Sequence, residues 1–178
     1  VRALDGVTDW LLEGGYPNVL VEIANETNYG YDHQILHPDR AHELIARVRE
    51  RSEERLLVST SFTGGRLPPT RVLEASNFVL LHGNRQGPAD IREMVDQVRA
   101  QSAFAADPKP VVFNEDSTSL ANLEAAVAAG ASWGYYDKGD NNYRDGFQAP
   151  PTNWSVNTPE KLAFFERVAE LTGMALGG

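Results

Sequence analysis

The chain has no cysteine among its 178 residues. This excludes disulfides, thiolate metal sites and a cysteine nucleophile, and leaves the compartment open. Basic residues are scarce: 16 Lys and Arg against 25 Asp and Glu give a formal net charge of -9. A phosphate-backbone partner calls for the opposite balance, so no nucleic acid is expected. No apolar run approaches the ~18 residues of a membrane span, and no signal-peptide pattern opens the chain, so no membrane partner is expected. Neither Gly-x-Gly-x-x-Gly nor a phosphate-binding loop is present, so nothing supports a nucleotide site, and no cofactor is expected. The apolar fraction of 42% is ordinary for a soluble globular domain, compatible with a secreted or periplasmic location as with others.

What is present is a regular alternation of short apolar runs and amphipathic segments. Strands are expected at Asn18 to Ala24, Leu56 to Ser61, Phe78 to Leu81, Pro110 to Phe113 and Ala131 to Tyr136. Between them lie helices with buried stripes at Ala41, Leu44, Ile45 and Val48, at Ile91, Met94, Val95 and Val98, and at Leu120, Leu123 and Val127. A helix with Leu4, Val7, Leu11 and Leu12 inward precedes them. One capped by Thr158, with Leu162, Phe165 and Val168 inward, follows. Proline marks several helix starts, where its missing N–H is no loss. Strand–helix alternation of this kind implies a parallel sheet of βα units in one α/β domain, residues 1–178.

Two of the expected strands end in Asn-Glu. The first reads Val19-Leu20-Val21-Glu22-Ile23-Ala24-Asn25-Glu26, the second Pro110-Val111-Val112-Phe113-Asn114-Glu115. Each delivers a carboxylate to the C-terminal end of a parallel strand, where α/β sheets and barrels place their chemistry. Two carboxylates converging on one pocket suit cleavage of a glycosidic bond. Glu22, mid-strand, is expected to be a paired interior residue.

The run Glu22-Ile23-Ala24-Asn25-Glu26 resembles the fourth-strand signature of the cellulase-like retaining glycoside hydrolases, a barrel clan with catalytic Glu residues on strands four and seven. Ser132-Trp133-Gly134-Tyr135-Tyr136 resembles the aromatic eighth-strand motif of that clan. Thr27 stands where the clan usually has Pro, and Tyr136 where it often has a second Trp. The resemblance implies strands 4–8, the second half of a (β/α)8 TIM barrel. It implies Glu26 as acid/base and Glu115 as nucleophile, acting on an oligo- or polysaccharide. It further implies Asn25 on a sugar 2-hydroxyl, His82 orienting Glu115, and Trp133 and Tyr136 as ring platforms. The stretch from Asp137 to Asn157, with Asp140, Asn141, Asn142, Tyr143, Arg144 and Trp154, offers further groups suited to polyhydroxylated ligands.

Other readings stay open on the sequence. Trp133 read alone suits a core, and His82 a satisfied structural position. A sugar-binding barrel without turnover would keep the same loops. A metal-dependent hydrolase would draw on His33, His37, His82 and Asp116, but their spacing lacks the pattern that favours zinc, and no metal is expected. Half a barrel would leave open sheet edges and a bare inner face, so the chain is expected to pair with a missing barrel half or with itself.

Overall fold

The computed structural model describes residues 1–16, 18–136, 156 and 158–174. Among these, five short parallel strands alternate with helices: α1 (Arg2–Glu13), β1 (Leu20–Glu22), α2 (Ala41–Arg51), β2 (Leu57–Ser59), α3 (Thr70–Ala75), β3 (Val79–His82), α4 (Pro88–Arg99), α5 (Ser102–Ala106), β4 (Val111–Glu115), α6 (Leu120–Ala128), β5 (Ser132–Trp133) and α7 (Pro159–Thr172). The class is α/β with parallel βα units. All five strands fall inside the runs expected for them, apart from the polar ends of β3 and β4. The small α5 and a 3-10 turn at Gln34–Leu36 are too short to show a period in the sequence.

The strands form two ladders, β1–β2 and β3–β4–β5, all parallel. Asn77 joins them. Its N–H donates to the Val58 carbonyl at 2.9 Å, and its side-chain oxygen accepts from the Val58 N–H at 2.9 Å. One asparagine thus satisfies both backbone groups of Val58 where the ladder is interrupted. The strands therefore succeed one another in chain order.

Two apolar clusters hold the helices on the sheet. Val21 and Val58 pack with Leu11, Ala41, Ile45 and Val48 on one side, and Val79, Leu81, Val111 and Phe113 with Ile91, Val95, Val98 and Leu123 on the other. Alternation along a strand sends neighbouring side chains to the opposite face. Leu20 and Leu57, opposite one another in register, accordingly leave the helix side and remain 55% and 48% exposed.

Three helices are rotated from the stripes expected of them. In α6 the buried residues are Asn122, Leu123, Ala125 and Ala126, and Val127 is exposed. Small alanines let α6 approach α4 closely, and that contact, rather than the largest side chain, sets which face turns in. In α7, Leu162 is exposed while Phe164 and Val168 pack on the core and Lys161 is buried. In α1, Val7 is exposed and Thr8 takes the inner position, its hydroxyl satisfied by the Leu4 carbonyl at 2.8 Å. Pairs Arg47–Asp5 and Arg51–Asp9, each at 2.6 Å, then tie α1 to α2 along their solvent edge.

The rotation of α6 gives a direct test. Leu123→Ala should cost about 2–4 kcal/mol in urea unfolding, as expected for a truncated core leucine, and Val127→Ser should stay within about 0.5 kcal/mol. Equal costs at the two positions would mean that α6 presents the face with Val127 to the core.

Candidate active site

Both Asn-Glu segments reach the site through a slip in the ladder beside them. Between β1 and β2, the Ile23 N–H donates to the Ser59 carbonyl at 3.1 Å and the Thr27 N–H to the Ser61 carbonyl at 3.0 Å. Four residues on one side therefore span two on the other. The excursion is closed by Glu26, at φ +48°, a left-handed conformation unusual for a side chain of this kind. Ser61 holds it there: its hydroxyl accepts from the Glu26 N–H at 2.8 Å and donates to the Glu22 carboxylate. Glu22 is thus paired, as expected of it, although it is the last residue of β1 rather than a mid-strand one. Burial pushes its carboxyl above the usual carboxylate range, against the opposing pull of the Ser61 hydroxyl and of His82.

Between β3 and β4 the slip falls one residue from the end. Leu81 lies opposite Phe113, but His82 lies opposite Glu115, with Asn114 left over. The Gly83 N–H then donates to the Glu115 carbonyl at 2.8 Å. Regular alternation would give Glu115 the same side as Phe113, toward the helices; the bulge turns it to the side of His82.

One oxygen of each carboxylate, Glu26 and Glu115, and a ring nitrogen of His82 lie within 4.8 Å of one another. His82 is fully buried, and its Nδ1 is 3.0 Å from Glu26 Oε1 and 3.9 Å from Glu115 Oε2. The hydrogen bond therefore goes to Glu26, not to Glu115 as expected. Orientation of Glu115 falls to Asn84, whose Nδ2 donates to its Oε1 at 3.1 Å, and the Tyr136 hydroxyl lies near enough to feel its charge. Burial and the neighbouring Glu115 and Glu26 carboxylates push the Tyr136 hydroxyl above its ordinary range, so it stays protonated as a donor.

The carboxylates open onto a cleft of about 690 Å³ lined by Asn25, Tyr29, Tyr31, Thr63, Arg66, Asn84 and Arg85, with Glu26 and Glu115 at its wall. Asn25 is exposed at the cleft, and the Tyr31 hydroxyl donates to its backbone carbonyl. Trp133 is displaced from its expected role. Only 9% exposed, its indole N–H donates to Asp116 Oδ2 at 2.6 Å and its ring faces Phe164 at 6.1 Å. The side chain is a core brace and offers no open face. The rings that do border the cleft are Tyr29, 79% exposed, and Tyr31. Their position just after Asn25-Glu26 was the available signal, as was Asn84 two residues beyond His82. The residues from Asp140 to Trp154 singled out in the sequence lie outside the described residues.

Among the described residues, Glu26, His82 and Glu115 form the group whose atoms could hold a cation. Of the other sequence candidates, His33 is not in that group, His37 Nε2 is 2.6 Å from the Tyr31 carbonyl, and Asp116 accepts from Trp133 and, at 2.9 Å, from Asn122. No helix among the described residues is long and apolar enough to cross a membrane. Comparisons with protein-family models, with curated proteins and with solved structures each find no match to this chain.

Asp116 supplies a pH test of this neighbourhood. Burial pushes its carboxyl above the usual range, outweighing the donors Asn122, Trp133 and Ser117. A raised folded pKa contributes stability that is full below the unfolded value of about 3.9 and is lost as pH rises through the folded value. Asp116→Asn removes that loss, so its stability relative to the parent should improve from pH 3.5 to pH 7 in urea titrations. A variant that falls further behind as pH rises would mean that Trp133 and Asn122 favour the ionised form more than burial disfavours it.

Proposed function

We propose that this chain carries the two carboxylates of a retaining glycoside hydrolase, with Glu115 as nucleophile and Glu26 as acid/base. The observation that carries the reading is the approach of one oxygen of Glu26 and one of Glu115 to within 4.8 Å, across a polar cleft at the C-terminal ends of parallel strands. Retention calls for carboxyl groups ~5–5.5 Å apart, and inversion for ~6.5–9.5 Å to admit a water. In the first step Glu115 attacks the anomeric carbon as the glycosidic C–O bond breaks, and Glu26 passes its proton to the departing oxygen. In the second, water attacks the same carbon, gives its proton to Glu26 and releases Glu115. His82 and Asn84 fix the two side chains, and near-attack geometry is where much of the rate gain lies. Tyr29 and Tyr31 replace Trp133 as the rings on which a sugar would stack.

The architecture we propose for this chemistry is the second half, strands 4–8, of a (β/α)8 barrel. Strands added in chain order support it, because doubly wound sheets reverse direction at a switch point. So do the half-exposed Leu20 and Leu57, which face away from the helices as inner barrel residues would.

In the intact protein, Glu115→Gln should abolish turnover while sparing sugar binding, since the amide is nearly isosteric but not nucleophilic. Glu26→Gln should slow unactivated glycosides by about 10²–10⁴-fold, and spare the glycosylation step for dinitrophenyl glycosides, whose leaving group departs unaided. Equal loss on both substrate types would remove Glu26 from the acid role. For the architecture, residues 1–178 expressed alone should associate in light scattering through their open sheet edges. A cooperatively melting monomer would point instead to a self-contained open sheet.

A further inference from the structure

Arg66 and Arg85 take no part in the chemistry above, yet both line the cleft beside Glu26 and Glu115. Cations are the scarcer charge in this chain, and several are committed to carboxylates: Arg47 and Arg51 to α1, Arg49 to Glu54, Arg167 to Glu124. Among the described residues Arg66 and Arg85 make no ion pair.

Their placement is fixed by the backbone. Arg66 closes a turn in which its N–H donates to the Thr63 carbonyl at 3.0 Å, and Arg85 sits in one closed by the Gln86 N–H on the Gly83 carbonyl at 2.9 Å. The two turns are clamped together: the Gly65 N–H donates to the His82 carbonyl at 3.0 Å, and a Cβ on Gly64 would lie 2.6 Å from the Asn84 carbonyl oxygen. Arg85 itself has φ +65°, where glycine or asparagine would be the unstrained choice. Two cations without an ion pair among the described residues, one of them on a strained backbone, thus line a cleft whose other charges there are the Glu26 and Glu115 carboxylates.

From this we infer that the cleft receives an acidic glycan, with a carboxylate or sulfate group on a sugar unit next to the bond being cleaved held by Arg66 and Arg85. The inference rests on the glycosidase reading for the bond, and on the arginines for the charge. Guanidinium forks match both planar carboxylate and sulfate oxygens with two parallel hydrogen bonds. Without them, Glu26 and Glu115 in a protein of net charge -9 would repel such a substrate.

The test is an array of neutral, uronate-bearing and sulfated oligosaccharides, followed by calorimetry and hydrolysis assays on the best binders. The parent, Glu115→Gln and the double variant Arg66→Gln/Arg85→Gln are compared, all in the intact protein. Acidic oligosaccharides should dominate, and the double variant should weaken them about tenfold or more while leaving residual neutral binding unchanged. Preference within the acidic set then names carboxylate or sulfate. Hydrolysis of neutral glycans that depends on Glu115 and ignores the double variant would overturn the acidic subsite and leave the glycosidase reading standing. Arginine-dependent binding of acidic oligosaccharides without hydrolysis would keep the subsite and overturn the glycosidase. No binding across the array would overturn both.

Discussion

In a parallel ladder, residues opposite one another face the same side, so two side chains from adjacent strands meet only when their register has the right parity. Leu81 and Phe113 satisfy that rule on the helix side, and the next residues in perfect register would bring Asn114, not Glu115, beside His82. The one-residue slip reverses the parity at the last position. On the other flank, the step of four residues from Ile23 to Thr27 against one of two from Ser59 to Ser61 does comparable work, lifting Glu26 out of the ladder toward the same His82. Remove either irregularity and the carboxylates stop sharing a pocket, whatever the sequence supplies. Bulges near sites are commonly of this kind, re-aiming one side chain at the cost of some ladder pairing.

The slips need rigid surroundings, and these are polar as often as apolar. Asp116 accepts from Trp133 on β5 and from Asn122 on α6, so the residue after Glu115 is pinned to two elements at once. A Cβ on Gly83 would come within 2.7 Å of that carboxyl group, so the β3 end can approach it only without a side chain. Buried polar groups of this sort weaken stability when left unmatched but specify one arrangement when matched. Here Asp116 Oδ2 is matched by Trp133 and Asn122 directly behind the proposed nucleophile, while Asp116 Oδ1 and Asn122 Oδ1 are buried without a partner among the described residues.

Much of this was legible from residue order, and the reasons for the rest differ from place to place. Val111-Val112-Phe113 and Val19-Leu20-Val21 read as strands because β-branched and apolar runs bounded by turns leave few alternatives. That fixed the ends on which Glu26 and Glu115 stand. Val127 and Leu162 read as inward because large apolar side chains dominate a periodic count, whereas Ala125, Ala126 and Phe164 make the contacts that seat α6 and α7. His82 bonds to Glu26 rather than to the expected Glu115 because its partner depends on the register slips, and no local residue pattern encodes them. Trp133 failed as a platform because an indole at a strand end reads alike whether its N–H meets a buried Asp116 or solvent.

Glu26 also sets a conflict between chemistry and folding. Its backbone turns through φ +48°, where a glycine would sit without steric penalty and most other side chains are disfavoured. The residue best suited to the turn is therefore the one that deletes the carboxylate. Random drift judged by stability alone would tend to erase the site at this position first, and stabilisation efforts guided by backbone preference would do the same. A glycine there would leave a well-folded sheet with a hollow where the Glu26 carboxylate stood; under the hydrolase proposed above, one substitution would separate an enzyme from a binding protein.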